Sequence, residues 1–204
     1  MTAQQKTPLE RFQETIGEHQ LTVIHDDGLH RHLRCARPDS SDRCFNVTTW
    51  PGFLCISGDM GCYVFQRVKD MFDFFRSGEL EINPGYWAQK MQAGPHVAPD
   101  NLSREWVPEK FEAKIREWFE QATEEWTEIK KEKAWEDVES EVLSESENEF
   151  SAFRSALDFE FDGELMFNDF FEVDCKQWKG HYLWCCYAIV WAIQQYDAAK
   201  QVEA

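Results

Sequence analysis

The chain is poor in positive charge. Its 204 residues include 21 Lys and Arg against 38 Asp and Glu, a formal net charge of −17. A field of that sign repels nucleic acid and anionic lipid and attracts basic surfaces. No stretch reaches the ~20 apolar residues that a bilayer-spanning helix needs, and Met1 to Arg11 has no apolar core of the signal-peptide kind. A cytoplasmic protein is therefore expected. The seven cysteines stand in no C-x-x-C spacing, so in a reducing compartment they read as small apolar residues, and the N-x-S/T matches at Asn46 and Asn101 carry no meaning. Phosphate-binding loops are also lacking. Gly58-Asp59-Met60-Gly61 has neither the Lys-Ser/Thr of a P-loop nor the three glycines of a dinucleotide fold, and reads as a turn.

What the chain has in quantity is apolar and aromatic matter: 43% apolar residues, with nine Trp and sixteen Phe, ample for a real core. Tyr182 to Ile193 is apolar or aromatic all the way round. A helix with no polar face is buried, and twelve residues make a rod of roughly 18 Å, too short for a membrane. It is therefore expected as a buried C-terminal helix, Lys176 to Lys200, around which the rest is organised.

Leu9 to Gly17 reads as a short helix with Phe12 and Ile16 on one side, a lid at most. From Leu21 the apolar period changes to two. Five runs follow, Gln20 to Asp26, Leu29 to Ala36, Arg43 to Trp50, Phe53 to Ser57 and Cys62 to Arg67. The turns between them fall at Asp27-Gly28, Pro38 to Asp42, Pro51-Gly52 and Gly58 to Gly61. These spacings predict a five-stranded antiparallel meander. Val68, Met71, Phe72 and Phe75 then take helical spacing, and Asn83-Pro84 opens a short helix through Met91.

Ala93 to Ser103 has no period, and the charge changes there: residues 1–100 carry a net of −3 and residues 101–204 a net of −14. The expected organisation is an α+β fold: an antiparallel-sheet subdomain over 1–92, a loop or hinge over 93–107, and an acidic helical subdomain over 108–204. Pro108 starts the longest predicted helix, with Phe111, Ile115, Trp118, Phe119, Ala122, Trp126 and Ile129 on one face, continuing through Trp135, Val138 and Val142. The opposite face carries Glu117, Glu120, Glu124 and Glu128, within about 80° of one another and roughly 4.5 to 6 Å apart along the axis. After the polar run Ser144 to Asn148 the helix restarts through Phe150, Phe153 and Leu157. The phenylalanines from Phe159 to Phe171 are expected to pack on the last helix.

Chemistry has few carriers. His25, Asp26, Asp27, His30 and His32, with Cys35, come nearest to a metal cluster, because His30 and His32 share one strand face. Arg31, Arg34 and Arg37 flank them and a third ligand must come from elsewhere. No metal and no cofactor is expected, and no catalytic residue. Trp50 and Phe53, flanking the Pro51-Gly52 turn, are candidates for a partner site. The carboxylate stripe carries the most functional content, since spaced carboxylates can occupy a Lys/Arg-lined groove built for a phosphate backbone.

The stretch TTWPGFLCISGDMGCYVFQRVKDMFDFFR, Thr48 to Arg76, continuing into INPGYWAQKMQA, Ile82 to Ala93, resembles a group of uncharacterised proteins encoded by bacteriophages and prophages. No catalytic motif comes with the resemblance. It implies a small acidic inhibitor of host defence, of the anti-CRISPR or anti-restriction kind. Such a protein would act without catalysis by docking on the basic surface of a host nucleic-acid-binding complex, by DNA mimicry or steric block. Two other classes remain open: an enzyme acting on a nucleotide or signalling molecule through the His/Asp cluster, and a phage assembly component.

Overall fold

In the computed structural model, residues 6–95 and 102–203 are described. The chain is α+β and forms two compact units. One comprises the residues up to Ser103 together with those from Trp178 onward; the other is Arg104 to Gln177. The chain therefore leaves the first unit and returns to it. The C-terminal helix, expected in a helical half running from 108 to 204, belongs to the sheet unit, and residues 96–101 of the expected hinge lie outside the described residues.

The first unit opens with α1 (Pro8–Ile16), started by a capping box in which Thr7 and Glu10 satisfy each other's backbone N–H groups. Then come β1 (Gln20–Asp27), β2 (His30–Ala36), β3 (Phe45–Trp50), β4 (Phe53–Gly58) and β5 (Gly61–Gln66), followed by α2 (Met71–Phe75), α3 (Pro84–Ala88) and β6 (Met91–Ala93). The sheet has six strands in sequential order, all neighbours antiparallel. The meander is as expected, with one strand more. The short run Met91–Ala93 looks like a helix end in sequence, yet its backbone completes the edge of β5, pairing Ala93 with Val64 and Met91 with Phe65.

The turns follow their chemistry. Pro51-Gly52 closes β3 onto β4 with Gly52 at φ 86°, the conformation a type II turn requires of its third residue. At the first hairpin Asp27 pairs with His30, so the two loop residues are Gly28 and Leu29. Gly28 alone takes positive φ, and the turn is of type II′ instead of the type I′ that Asp27-Gly28 suggests. Gly58 is obligatory: a Cβ there would lie 2.2 Å from the Cys44 carbonyl oxygen.

One sheet face is buried. Leu33, Phe45, Val47, Leu54, Ile56, Tyr63 and Phe65 point into a core completed by α1, α2 and α7 (Gly180–Glu203). From Tyr182 to Ile193 no residue of α7 is exposed, as the unbroken apolar run demands. Phe12 is fully buried between the Trp184 and Tyr187 rings, which makes α1 part of the core and not a lid. At one end of this core Arg31 donates two hydrogen bonds to Asp70, at 2.8 and 2.9 Å, and lies 4.4 Å over the Phe72 ring. Asp26, the cross-strand neighbour of Arg31, accepts from Tyr196 and pairs with Lys200, both on α7.

The second unit holds β7 (Arg104–Trp106), which pairs with β10 (Lys176–Trp178), and the helices α4 (Pro108–Ala122), α5 (Glu128–Glu141) and α6 (Glu149–Asp158). A small hairpin of β8 (Glu160–Phe161) and β9 (Glu164–Leu165) follows α6. Its core is aromatic: Phe111, Phe119, Phe159, Phe167 and Phe170 are buried with Ile115, Val138 and Val142. Phe170 packs on Phe111, Phe153 and Phe167, and Phe159 packs on Phe167, so these rings close their own unit's core in place of the expected packing on the last helix.

The long helix expected from Pro108 is two helices. The Thr123 hydroxyl donates to the Phe119 carbonyl at 2.8 Å, its backbone N–H bonds the same oxygen, and α4 ends there. The turn swings Trp126 onto the Phe161 ring at 5.5 Å, and Thr127 in extended conformation restarts the chain as α5. The apolar face is rephased by the break: Ile129, expected inside, is 82% exposed, while Ala134 and Val138 are buried.

Candidate partner-binding surfaces

Two surfaces stand apart from the cores. The first is the acidic exterior of the second unit. Arg104 to Gln177 holds 23 acidic and 9 basic residues, a net of −14, leaving −3 for the rest of the chain. Ion pairs join Arg104 to Asp174, Lys114 to Glu117, Lys130 to Asp162, Arg154 to Asp158 and Lys176 to Glu149. Among the described residues, most of the unit's carboxylates therefore have no cationic partner. The hydrogen bonds from Arg104 and the Lys176 backbone N–H hold the Asp174 carboxyl below its ordinary pKa.

All four sequence-selected glutamates are exposed. The break at Thr123 distributes them differently from the expected single stripe: Glu117 and Glu120 stand on α4, Glu124 in the turn, and Glu128 at the first position of α5. Four carboxylates at regular intervals along one rod are not what the fold presents. Beside them the unit exposes large apolar side chains, Ile129, Phe150, Leu165 and Phe171, with Phe150 75% exposed. Phe150, Phe153, Asn148 and Glu149 line a groove at the start of α6.

The second surface is the outer face of the six-stranded sheet, on which no residue is buried. Period-two alternation sends His25, His30, His32, Thr48, Trp50, Phe53, Cys55 and Cys62 to this side. A bulge in β1 after Val23 brings His25 directly opposite His32, and Asp27 opposite His30. His25, His30, His32, Thr48 and Trp50 line an open groove of about 410 Å³. The imidazoles share a face, yet among the described residues no three His, Cys, Asp or Glu side chains form a group able to hold a metal. Trp50 and Phe53 stack on each other at 5.2 Å and 13°, each half-buried, so the ring faces they turn toward each other are already occupied.

The cysteines divide between the two sides. Burial pushes the Cys35 thiol to about 12 and the Cys175 thiol to about 11, and holds Cys185 well above its ordinary value, so these sulfurs stay protonated at neutral pH. Cys55 and Cys62 lie on the outer sheet face with sulfurs 3.9 Å apart. The sequence signal for this pair was present: both positions have outward parity on strands joined by the Gly58 to Gly61 turn. The Arg31–Asp70 pair had no local signal, because its partners are separated by 39 positions.

No family model, curated protein or solved structure matches the chain. Among the described residues no helix is long and apolar enough to cross a membrane.

Proposed function

We propose that the protein is a non-enzymatic inhibitor. It docks the acidic exterior of its second unit on a Lys/Arg-lined, nucleic-acid-binding surface of a host defence complex, and so blocks access of nucleic acid. The observation that carries this reading is the concentration of charge: a net of −14 on Arg104 to Gln177, mostly without cationic partners among the described residues. Lys and Arg in a phosphate-binding groove read charge and not sequence, so exposed carboxylates on a folded unit compete for them. Steric occlusion by the unit suffices, since the glutamates are spread over two helices and a turn instead of copying one phosphate strand. The target in this reading is a host complex in the cytoplasm.

The test is an affinity capture from nuclease-treated host lysate with the wild-type chain and with a variant in which Glu117, Glu120, Glu124 and Glu128 are all changed to Lys. The expected result is one basic nucleic-acid-binding complex, retained by the wild type at low salt, released at high salt, and weakened about 100-fold by the variant, ~2.7 kcal/mol. Equal retention by both chains at both salt concentrations contradicts the reading.

A further inference from the structure

The outer face of the sheet carries a feature the acidic reading does not use. Cys55 on β4 and Cys62 on β5 bring their sulfurs to 3.9 Å on a surface with no buried residue, Cys62 exposed and Cys55 half-buried. The register makes them diagonal neighbours: Cys55 stands opposite Val64 and Cys62 opposite Ser57. Diagonal Cα atoms in an antiparallel pair lie roughly 7–8 Å apart, beyond the ~6.8 Å that a disulfide spans, and the two sulfurs would have to close to about 2.05 Å. A bridging ion requires no such movement. With metal–sulfur bonds of roughly 2.3 Å, sulfurs 3.9 Å apart subtend about 116° at the metal.

That angle, with only two protein ligands, selects among cations. Structural zinc closes its shell with four protein ligands, and among the described residues no third His, Cys, Asp or Glu joins a ligand group. Calcium and magnesium take oxygen. A soft cation of low coordination number, content with two thiolates, remains. We propose that Cys55 and Cys62 form a surface dithiolate site for a thiophilic cation of the Cu(I) class, with the third position open to a small external thiol.

Binding is a proton exchange. Each S–H loses its proton to solvent, two S–Cu bonds form, and copper remains Cu(I), so no electron moves. A bound cation offsets the repulsion between two thiolates this close. The other cysteines offer no competing pair: Cys35, Cys175, Cys185 and Cys186 are buried.

The experiment is an anaerobic titration of the full, reduced chain with Cu(I), in competition with a chromophoric Cu(I) chelator. The expected result is one Cu(I) per chain, an affinity at least 100-fold lower in Cys62→Ser and in Cys55→Ser, and no change in Cys44→Ser. Because Cys62 is exposed, its variant tests the site without disturbing the core. Failure of the wild type to take copper from the chelator, or full affinity retained by Cys62→Ser, overturns the proposal.

Discussion

The two units of this chain use charge in opposite ways. In the sheet unit the net charge is −3, and several of its charged side chains tie elements together: Arg31 grips Asp70, Arg76 bonds Asp197 on α7, and Lys200 and Tyr196 hold Asp26. Burial alone would raise the Asp26 pKa, but the hydrogen bonds from Lys200 and Tyr196 outweigh it and hold the group lower. In the second unit the fold rests on phenylalanines and tryptophans, and most of its 23 acidic residues face outward without a cation among the described residues. The first unit invests its ions in its own architecture; the second carries a surplus that its fold does not need, which is why the functional reading attaches to it.

The sharpest way to break the first unit is Gly58→Ala. The new Cβ would meet the Cys44 oxygen at 2.2 Å and Phe45 Cα at 2.7 Å, both backbone atoms that no rotamer change can move. A loss of roughly 4 kcal/mol is expected, read as a fall in the urea midpoint. Next in size is Asp70→Asn, which leaves the Arg31 guanidinium largely buried without its carboxylate and is expected to cost about 3 kcal/mol in the same measurement.

That pair also sets an acid dependence. The two hydrogen bonds from Arg31 hold the Asp70 carboxyl below its ordinary value. The stabilisation is therefore complete above the unfolded carboxyl's pKa of ~3.9 and is lost as pH falls through the lower folded value. Asp70→Asn should flatten this part of the stability-against-pH curve, and urea titrations between about pH 5 and pH 2 check it.

Salt should separate the units. Raising ionic strength from about 0.01 to 0.1 M shortens the screening length from ~30 to ~10 Å, which relieves self-repulsion where net charge is high. Amide-exchange protection is expected to rise in peptides from 104–177 by an amount equivalent to about 1 kcal/mol, and to stay level in the sheet strands. The smallest effect belongs to Phe150→Ser. A side chain 75% exposed contributes little to folding, so the thermal midpoint should change by the equivalent of less than about 0.5 kcal/mol.

Much of the sheet unit was legible in sequence because its signals are local. Alternation placed β1 to β5, Pro51-Gly52 and Gly58 to Gly61 placed the turns, and the unbroken apolar run of α7 required its burial. β6 was not legible: three residues carry no period, and only the open edge of β5 makes Met91–Ala93 a strand. Nor was the return of α7 to the first unit, since a uniformly apolar helix says that it is buried but not by what. On the candidate surface the four glutamates are exposed as the pattern implied, yet their alignment on one helix failed at Thr123. There a hydroxyl bonded to the Phe119 carbonyl and the demand of Trp126 for the Phe161 ring outweighed a favourable apolar wheel. Tertiary packing decided the break, and no count of helical spacing contains it.

The central claim is that the acidic unit occupies a nucleic-acid site on its partner. Its most direct test takes the complex captured by the wild-type chain and measures binding of labelled duplex DNA with increasing amounts of the protein. Mutually exclusive binding, in which DNA and protein displace each other, is the predicted result. A stable ternary complex holding DNA and protein together would contradict it.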